Sequence, residues 1–519
     1  MVVQKHKHLS IGILYTLTIL LSYVSILYAG FFSNPEDNEN YTDQYLQQIL
    51  DLNLCKNYTA QTPLSLKQAI NLTVACNRNI HKNILNRITD NYNLSVTEYK
   101  FKPNVDISMR TFYEKTDNDV TTDTNKALNV IPQFKILTPL GTIINLDWEN
   151  YISNPNNINT FRNASRITVR QPLLKQAGID YQTANVKNAQ ASNKFEIIRL
   201  YDFIASEINN TIFLFRQIIQ NENQLTIQEN ALAISKKLQE QTNALIKAGR
   251  LAQYELSQVE SQVASQEINL ADAKINLRKS YLQLANQLGI DSNNLKIKMS
   301  NELSQVPDPI AGSKTELLGQ VLKYNINYQN VLLQENNAKR DYFIAYNQSR
   351  WTLDLTASYQ IEGNDNTYTR SLQNYFSFSD QRKFVGLEFD IPFDLNPIRK
   401  QAVIENKVRM KQLLLDQKQL EQEIYSDLED KLYQQQILWE KLQLSTRSVD
   451  IKQKNFDMAR KKYEVGRLSS FELVRIQDDV ENAQMAKTSN VIAYLNNATI
   501  LDKMLNKTML KWNVEVKIA

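Results

Sequence analysis

Few side chains in this sequence of 519 residues have the types and spacing that catalysis or metal binding requires. The three histidines are His6, His8 and His81. The first two lie in the basic start of a predicted signal sequence, and His81 lies on a predicted helix without cysteine, histidine, aspartate or glutamate at metal-ligand spacing. The sequence also has no glycine-rich phosphate loop and no nucleophile motif. It therefore predicts a protein that is not an enzyme and uses no cofactor.

One group of charged residues has helical spacing. Glu472, Arg475 and Asp479 follow one another at intervals of three and four residues, so they fall on one helix face where opposite charges can pair. Glu472 also stands three residues after Ser469, which is the spacing of a capping box at a helix start. Two interpretations of Glu472 are therefore open, an ion-pairing face and a helix cap.

These charged residues follow a turn motif that occurs twice. The first copy is Ala248-Gly249-Arg250-Leu251, and the second is Val465-Gly466-Arg467-Leu468. Each glycine is alone in a long stretch that also lacks proline, so helix breakers are otherwise missing there. A lone glycine at a helix end usually adopts the left-handed conformation of a C-cap. We therefore predict two helical hairpins with tips at these glycines.

The arms of the hairpins have unequal lengths, which predicts a duplicated architecture. The long arms, 175–248 and 397–465, are roughly twice as long as the returning arms, 252–288 and 469–505. Two other helical segments have the missing length. Segment 313–348 is expected to complete the first return, and segment 64–99 the second. Each half then has one long helix and two stacked shorter ones.

Four segments alternate between apolar and polar residues, as strands with two different faces do. They are 105–113, 167–173, 353–361 and 385–393. Such strands fit a two-sheet cap with a buried face, or an outer-membrane barrel whose apolar face meets lipid. Four strands cannot close a barrel, but a dimer would supply eight and a trimer twelve.

A fifth alternating segment, 143–152, is expected to be an external loop. The helices that flank each strand region must lie on the same side of a membrane, so an even number of strands must cross it. The polar stretches 116–138 and 364–381 are expected to be external loops as well.

The first 29 residues have the layout of a secretory signal, with a basic start, an apolar core and Ala29 at the cleavage position. An uncleaved transmembrane anchor is the alternative. The only cysteines, Cys55 and Cys76, could form a disulfide in an oxidising compartment or remain as two buried thiols. The formal net charge of +4 is too small for a nucleic-acid-binding surface.

Several of these features together resemble the TolC-type outer-membrane efflux family. They are the duplicated halves, the two Gly-Arg-Leu turns, the strand ends "QPLL" and "IPF", and the openings "LSLKQAINLTVACNRN" and "TELLGQVLKYNINYQN". The resemblance implies an α+β membrane protein, in which three protomers form a twelve-stranded β-barrel with four strands each. Long α-helical hairpins continue this barrel as a twelve-helix tunnel across the periplasm.

The resemblance also implies a function. A homotrimer in the outer membrane would conduct substrates passively from the periplasm to the exterior, as part of a tripartite efflux or type I secretion system. Its helical tips would contact a periplasmic adaptor protein that links the tunnel to an inner-membrane pump. A secreted or surface-anchored coiled-coil scaffold or adaptor protein is the alternative function.

Two sets of site residues follow from the resemblance. The adaptor-docking tips would be Gly249, Arg250 and Leu251 in the first half, and Gly466, Arg467 and Leu468 in the second. In this family, acidic residues six and nine positions after the turn glycine form a pore constriction. Here those positions hold Glu472 and Arg475, so the second departs from the family pattern. Asp479 and the first-half residue Glu255 complete the expected constriction.

The sequence therefore predicts six segments. A signal peptide, 1–29, precedes an N-terminal part of a girdle midway along the tunnel, 30–63. The two efflux repeats, 64–288 and 313–505, are joined by a linker, 289–312, and followed by a C-terminal tail, 506–519.

Overall fold

Very long helices and one antiparallel sheet make up most of the structure. The computed structural model describes residues 63–117, 122–156, 158–290, 306–310, 312–391 and 397–514, all within the unit Ala60–Ala519. The predicted signal peptide, nearly all of segment 30–63 and Cys55 lie outside the described residues. Among the helices that are described, none combines the length and the apolar character needed to cross a membrane.

The elements follow one another in two similar halves. The helices are α1 Leu66–Cys76, α2 Arg78–Glu98, α3 Ile179–Lys247, α4 Tyr254–Leu288, α5 Lys314–Tyr324, α6 Ile326–Gln348, α7 Tyr368–Phe376, α8 Ile398–Glu464, α9 Ser470–Met504 and α10 Thr508–Trp512. The strands are β1 Asn104–Asp117, β2 Thr122–Leu137, β3 Ile143–Pro155, β4 Thr160–Pro172, β5 Thr352–Asp365 and β6 Asp380–Asp390.

The two long helices end at the predicted turns. Helix α3 has 69 residues and α8 has 67, so each is about 100 Å long at 1.5 Å per residue. Gly249 and Gly466 have φ values of 69° and 72°, in the left-handed region. The amide of Arg250 donates to the carbonyl of Leu245, and that of Arg467 to Lys462, both at 2.9 Å. Both turns are therefore Schellman C-caps, as the sequence predicted.

Each predicted short segment is two helices rather than one. Asn77 separates α1 from α2, and Asn325 separates α5 from α6, with extended backbone at both positions. The Asn77 side chain accepts from the amides of Asn79 and Ile80, and that of Asn325 accepts from Tyr328. Each asparagine thus ends one helix and caps the next. Because the break recurs at the same place, the duplication extends to this level.

Each short segment completes the other return arm from the one predicted, so the two predicted pairings are wrong. The Asn77 side chain donates to the carbonyl of Gln287, 2.9 Å away at the end of α4, so segment 64–99 completes the first return. In the second half, Leu501 of α9 packs with Leu317 and Val321 of α5. The physical reason is the path of the chain: α2 enters the sheet, α3 leaves it, and consecutive elements lie side by side.

The sheet contains six strands, so the predicted number of four is wrong. Its order is β1-β2-β3-β4-β5-β6, with antiparallel neighbours throughout. The predicted loops 116–138 and 143–152 contain β2 and β3. Strand β2 was not predicted because it contains polar residues and Pro132, and proline is rare inside strands. Strand formation also depends on the neighbouring strands. The even number of strands agrees with the sequence argument.

The predicted loop 364–381 contains helix α7, which lies on one face of β4 and β5. The side chain of Asn163 donates to the hydroxyl of Ser371 at 2.8 Å, and the hydroxyls of Ser165 and Tyr375 are 2.6 Å apart. A Cβ on Gly363 would lie 2.3 Å from the carbonyl oxygen of Ser371. Glycine is therefore required for the close approach of this helix.

Near the tips, the two hairpins share one apolar core. Leu238 of α3, Val259 of α4, Phe456 of α8 and Leu473 of α9 belong to a single buried cluster. Tyr463 is fully buried in it, and its hydroxyl lies 2.6 Å from that of Thr242. The hairpins thus pack against each other along their lower ends.

Replacement of glycine by alanine should have opposite effects on stability at a left-handed helix cap and inside a helix. Gly466→Ala places a Cβ on a left-handed residue and should lower the free energy of unfolding by about 1–2 kcal/mol. Gly319→Ala, inside α5 with no atom within 4 Å of the added Cβ, should raise it by about 0.5–1 kcal/mol. Urea titration followed by helical circular dichroism measures both. Shifts of the same sign would contradict the assignment of Gly466 as a left-handed C-cap.

Candidate functional site

The sheet has one apolar and one polar face that continue across all six strands. The strand register places Met109 opposite Val130, Ile167 opposite Leu146, and Leu355 opposite Leu387 on the apolar side. Its further members include Val105, Ile107, Phe134, Ile136, Ile144, Trp148, Val169, Leu353, Ala357 and Phe389. Outside the part covered by α7, this face has no covering helix among the described elements.

Large apolar side chains on this face are exposed in the protomer. Met109 is 62% exposed, Leu387 69% and Val385 76%. A contiguous apolar surface of this kind is unusual for a monomer in water and indicates a contact with lipid or protein. The sheet therefore presents a surface suited to an apolar environment.

The opposite face carries paired charges. Arg162, Arg166 and Arg170 of β4 point to this side at every fourth position. Arg170 donates from Nε to Asp354 Oδ2 at 2.8 Å, and Arg162 Nε lies 3.0 Å from Glu362 Oε1. Arg166 Nε donates to the side-chain oxygen of Gln360 at 3.0 Å. A polar, charged face is suited to line a water-filled passage.

This arginine row was not predicted from the sequence, although a signal was present. In "RNASRITVR" the arginines are four residues apart, and any even spacing puts strand residues on one face. Their partners on β5 could not be identified from the sequence, because they lie about 190 residues away and the register decides which residues meet.

At the tips, the arginines and leucines behave differently. Arg250 and Arg467 are exposed. Leu251 and Leu468 are partly buried and pack against the shared apolar cluster of the two hairpins. These two leucines, which were predicted as docking residues, are therefore folded back onto the core of the hairpins. Among the arginines and leucines predicted to dock, the two arginines are therefore the exposed side chains.

Glu255, which was predicted at the constriction, is instead buried between the hairpins. It is 8% exposed, and its carboxylate accepts from the amide of Ser470 at 3.1 Å and from the Ser470 hydroxyl. Ser470 is the first residue of α9, where amides lack helical partners and a negative charge is favourable. In the protomer, Glu255 therefore caps the neighbouring hairpin rather than facing open space.

The other three residues predicted at the constriction, Glu472, Arg475 and Asp479, lie exposed on one face of α9. The amide of Glu472 donates to the Ser469 hydroxyl at 3.2 Å, which confirms Ser469 as the N-cap of α9. Asp479 Oδ1 pairs with the ammonium group of Lys452 on α8 at 3.2 Å. Among the ion pairs of the described residues, none joins Arg475 to Glu472 or Asp479. The guanidinium group of Arg475 thus projects from the protomer.

A layer of buried and partly buried polar side chains joins α4 to α9 next to these residues. Glu481 accepts from the amide groups of Gln266 and Gln477, at 3.2 and 3.0 Å. Gln262 donates to Asp478 at 2.9 Å. Burial raises the pKa of both Glu481 and Asp478, because the charged carboxylates lose solvation there. This layer links α4 to α9 across the two hairpins.

The cysteine and histidine positions fit structural roles. Cys76 is buried and is disulfide-bonded, and its pairing with Cys55 stays a prediction because Cys55 lies outside the described residues. His81 contacts the carbonyl oxygen of Ala75 at 2.9 Å. In the part of the chain that the structure describes, no three histidine, cysteine or acidic residues cluster as metal ligands would.

Comparisons with known proteins agree with this architecture. The model of the outer membrane efflux protein family matches residues 317–507. A search of curated protein sequences finds no match.

Among solved structures, CusC is 14% identical with a TM-score of 0.66, covering 88% of this chain and 95% of its own. The CmeC outer membrane channel of Campylobacter jejuni is 13% identical with a TM-score of 0.63, covering 85% and 86%. The open-state MtrE outer membrane channel of Neisseria gonorrhoeae is 12% identical with a TM-score of 0.62, covering 86% and 89%.

At these identities, the structural matches establish the fold. Together with the family match, they confirm the resemblance drawn from the sequence. Residues 317–507 match the outer membrane efflux protein family, and the described chain has the fold of the CusC, CmeC and MtrE outer membrane channels.

Proposed function

We propose that three copies of this chain form the outer-membrane channel of a tripartite efflux or type I secretion system. The observation that carries this proposal is the sheet, which exposes apolar side chains such as Val385 on one face and pairs charges on the other. Lipid would cover the first face and water the second. The channel conducts passively and catalyses no reaction.

The helical part extends the passage away from the membrane. Helices α3 and α8, each about 100 Å long, start next to the sheet and end at the two tips. Three protomers would bring six hairpins together as a tunnel through the periplasm. At its far end, a periplasmic adaptor protein would connect the tips to an inner-membrane pump.

The coiled-coil scaffold is the weaker alternative. It accounts for the long helices and the tight turns. It gives no role to an apolar sheet face on which Met109 and Leu387 are more than half exposed, because a scaffold in water would cover these residues.

The proposal predicts stable membrane trimers. The protein should fractionate with the outer membrane, resist extraction by high salt, and migrate as a trimer that heating converts to monomers. Lipid contact predicts this behaviour because salt weakens charge contacts but does not weaken apolar ones. Gel migration before and after heating is the measurement. Release by salt as a monomer would favour the scaffold.

Adaptor docking predicts a charge dependence at the tips. The double variant Arg250→Glu and Arg467→Glu should abolish export, because it reverses the exposed cationic surface, while trimers remain intact. Arg447→Glu is the matched control, since Arg447 is exposed on α8 about 30 Å from the tip by helical rise. Drug susceptibility of a complemented deletion strain measures export. Full export by the double variant excludes a docking role for the arginines.

Arg475, near the second tip, is the basis of a proposed gate. Because Arg475 makes no ion pair with Glu472 or Asp479 within the described protomer, we propose that it pairs with acidic residues of a neighbouring copy around the pore axis. Each exposed pair contributes only about 0–1 kcal/mol, but three-fold symmetry repeats it, so the closed state gains up to a few kcal/mol.

Arg475→Glu should therefore raise the open probability and conductance of single channels in planar bilayers, because it replaces attraction by repulsion. Glu472→Ala should weaken cation preference, because it removes an acidic group from the same face. Arg447→Glu serves again as the control for a change in net charge. Unchanged conductance and open probability for Arg475→Glu would leave only the helix-start role of this region.

A further inference from the structure

We infer that all six strands of each protomer lie in the barrel wall, so that three copies close a barrel of eighteen strands rather than twelve. The inference rests on the proposed trimeric membrane channel and deepens it. Three observations carry it: the position of the hairpin formed by β2 and β3, the two-faced pattern of that hairpin, and the character of the two sheet edges.

The β2–β3 hairpin spans the full height of the sheet. Its strands pair with β1 from Asn104 to Asp117 and with β4 from Ile143 to Ser153. Its turn lies beside the start of α3, where the amide of Gly178 donates to the carbonyl of Leu140 at 3.3 Å. A Cβ on Gly141 would lie 3.0 Å from the carbonyl of Gln176. A loop confined to the exterior would not reach the helices.

The hairpin also shares the two-faced pattern of the other strands. Phe134 and Leu146 are opposite each other on the apolar face, and their neighbours Gln133 and Asp147 are opposite each other on the polar face. The apolar face is therefore continuous from β1 to β6. A segment outside the membrane would have no reason to keep this alternation in register with the wall.

The sheet edges are suited to pair with further copies. Strands β1 and β6 are the outermost strands, with 14 and 11 residues and no proline. Long regular edges of this kind are templates for another strand. Because six strands alternate in direction, β6 of one copy runs antiparallel to β1 of the next, so the ring closes with antiparallel neighbours.

One register matches the side chains at this seam. When Phe112 lies opposite Phe384 of the next copy, Met109 meets Leu387, and Glu114 meets Arg382. Aromatic, aliphatic and oppositely charged cross-strand pairs are all favourable. Only Asp106 and Asp390 form a like-charge pair, at the end nearest the helices.

The added strands widen the passage at the membrane. Barrel diameter grows roughly linearly with strand number, so eighteen strands give about 1.5 times the diameter of twelve and about twice the cross-section. The outer part of the channel would then resemble a wide aqueous pore rather than a narrow one.

Cysteine labelling of the trimer in outer membranes tests the wall directly. Single-cysteine substitutions at neighbouring positions are compared: Phe134→Cys against Gln133→Cys on β2, and Leu146→Cys against Asp147→Cys on β3. The comparison of Leu355→Cys against Thr356→Cys on β5 is the matched reference, and the wild type gives the background labelling of the native cysteines. A water-soluble maleimide should label Gln133→Cys and Asp147→Cys several-fold faster than their neighbours, because lipid protects the apolar face.

The outcomes separate this inference from the proposed function. Alternation on β5 but equal labelling within the β2 and β3 pairs would overturn the six-stranded wall while leaving the membrane channel intact. Absence of the protein from the outer membrane would overturn both.

The seam is tested by disulfide cross-linking. Thr111→Cys combined with Val385→Cys, which lie opposite each other in the proposed register, should give covalent dimers and trimers on oxidation. Thr111→Cys with Gln381→Cys, four residues out of register on the same face, is the control and should not. Equal cross-linking of both pairs, or of neither, would overturn the register. An image of the wild-type trimer by electron cryomicroscopy with twelve wall strands would overturn the strand count.

Discussion

The whole architecture depends on one constraint, which is that both helical hairpins leave the sheet at the same end. The chain enters the sheet from α2 and leaves through α3, then enters again from α6 and leaves through α8. Each passage must therefore contain an even number of antiparallel strands: four in the first half and two in the second. The extra hairpin of β2 and β3 satisfies this rule. The first half can therefore contribute more strands to the sheet than the second without disturbing the duplicated helices.

The same constraint brings the two hairpins into contact along their length. At the lower end, polar links cross from one hairpin to the other: Thr242 to Tyr463, Glu255 to Ser470, and Gln262 to Asp478. A hydrogen bond of this kind contributes about 0.5–1.5 kcal/mol net, but it costs more when one buried partner is left unsatisfied. Both tips are therefore coupled within a protomer. A movement that separates one hairpin from the other must expose buried polar groups such as Glu255 and Glu481 to an incomplete set of partners.

The sheet and the helices differ in how they are stabilised. The helices bury separate apolar clusters, and Tyr463 in one of them and Tyr494 in another are inaccessible to solvent. The sheet instead leaves Val385 and Leu387 exposed, and its stability as a protomer rests on strand pairing and on charge pairs such as Arg170 with Asp354. The proposed trimer in a membrane would supply both an apolar environment for this face and partners for the sheet edges. The packing of the helical half can be understood from one chain, whereas that of the sheet is explained by the proposed assembly.

The amino-acid sequence by itself determined the helical hairpins, the left-handed turns at Gly249 and Gly466, the N-cap at Ser469 and the even number of strands. These features depend on local chemistry: a missing Cβ, a hydroxyl near free amides, and the spacing of apolar residues. Tertiary structure decided the membership of β2 and β3 in the sheet, the partners of the short helices, and the burial of Glu255 against Ser470. Those features depend on which distant segments meet. Strand stability and the role of a carboxylate are set by neighbours far away in the chain, and a single sequence does not specify where those neighbours lie.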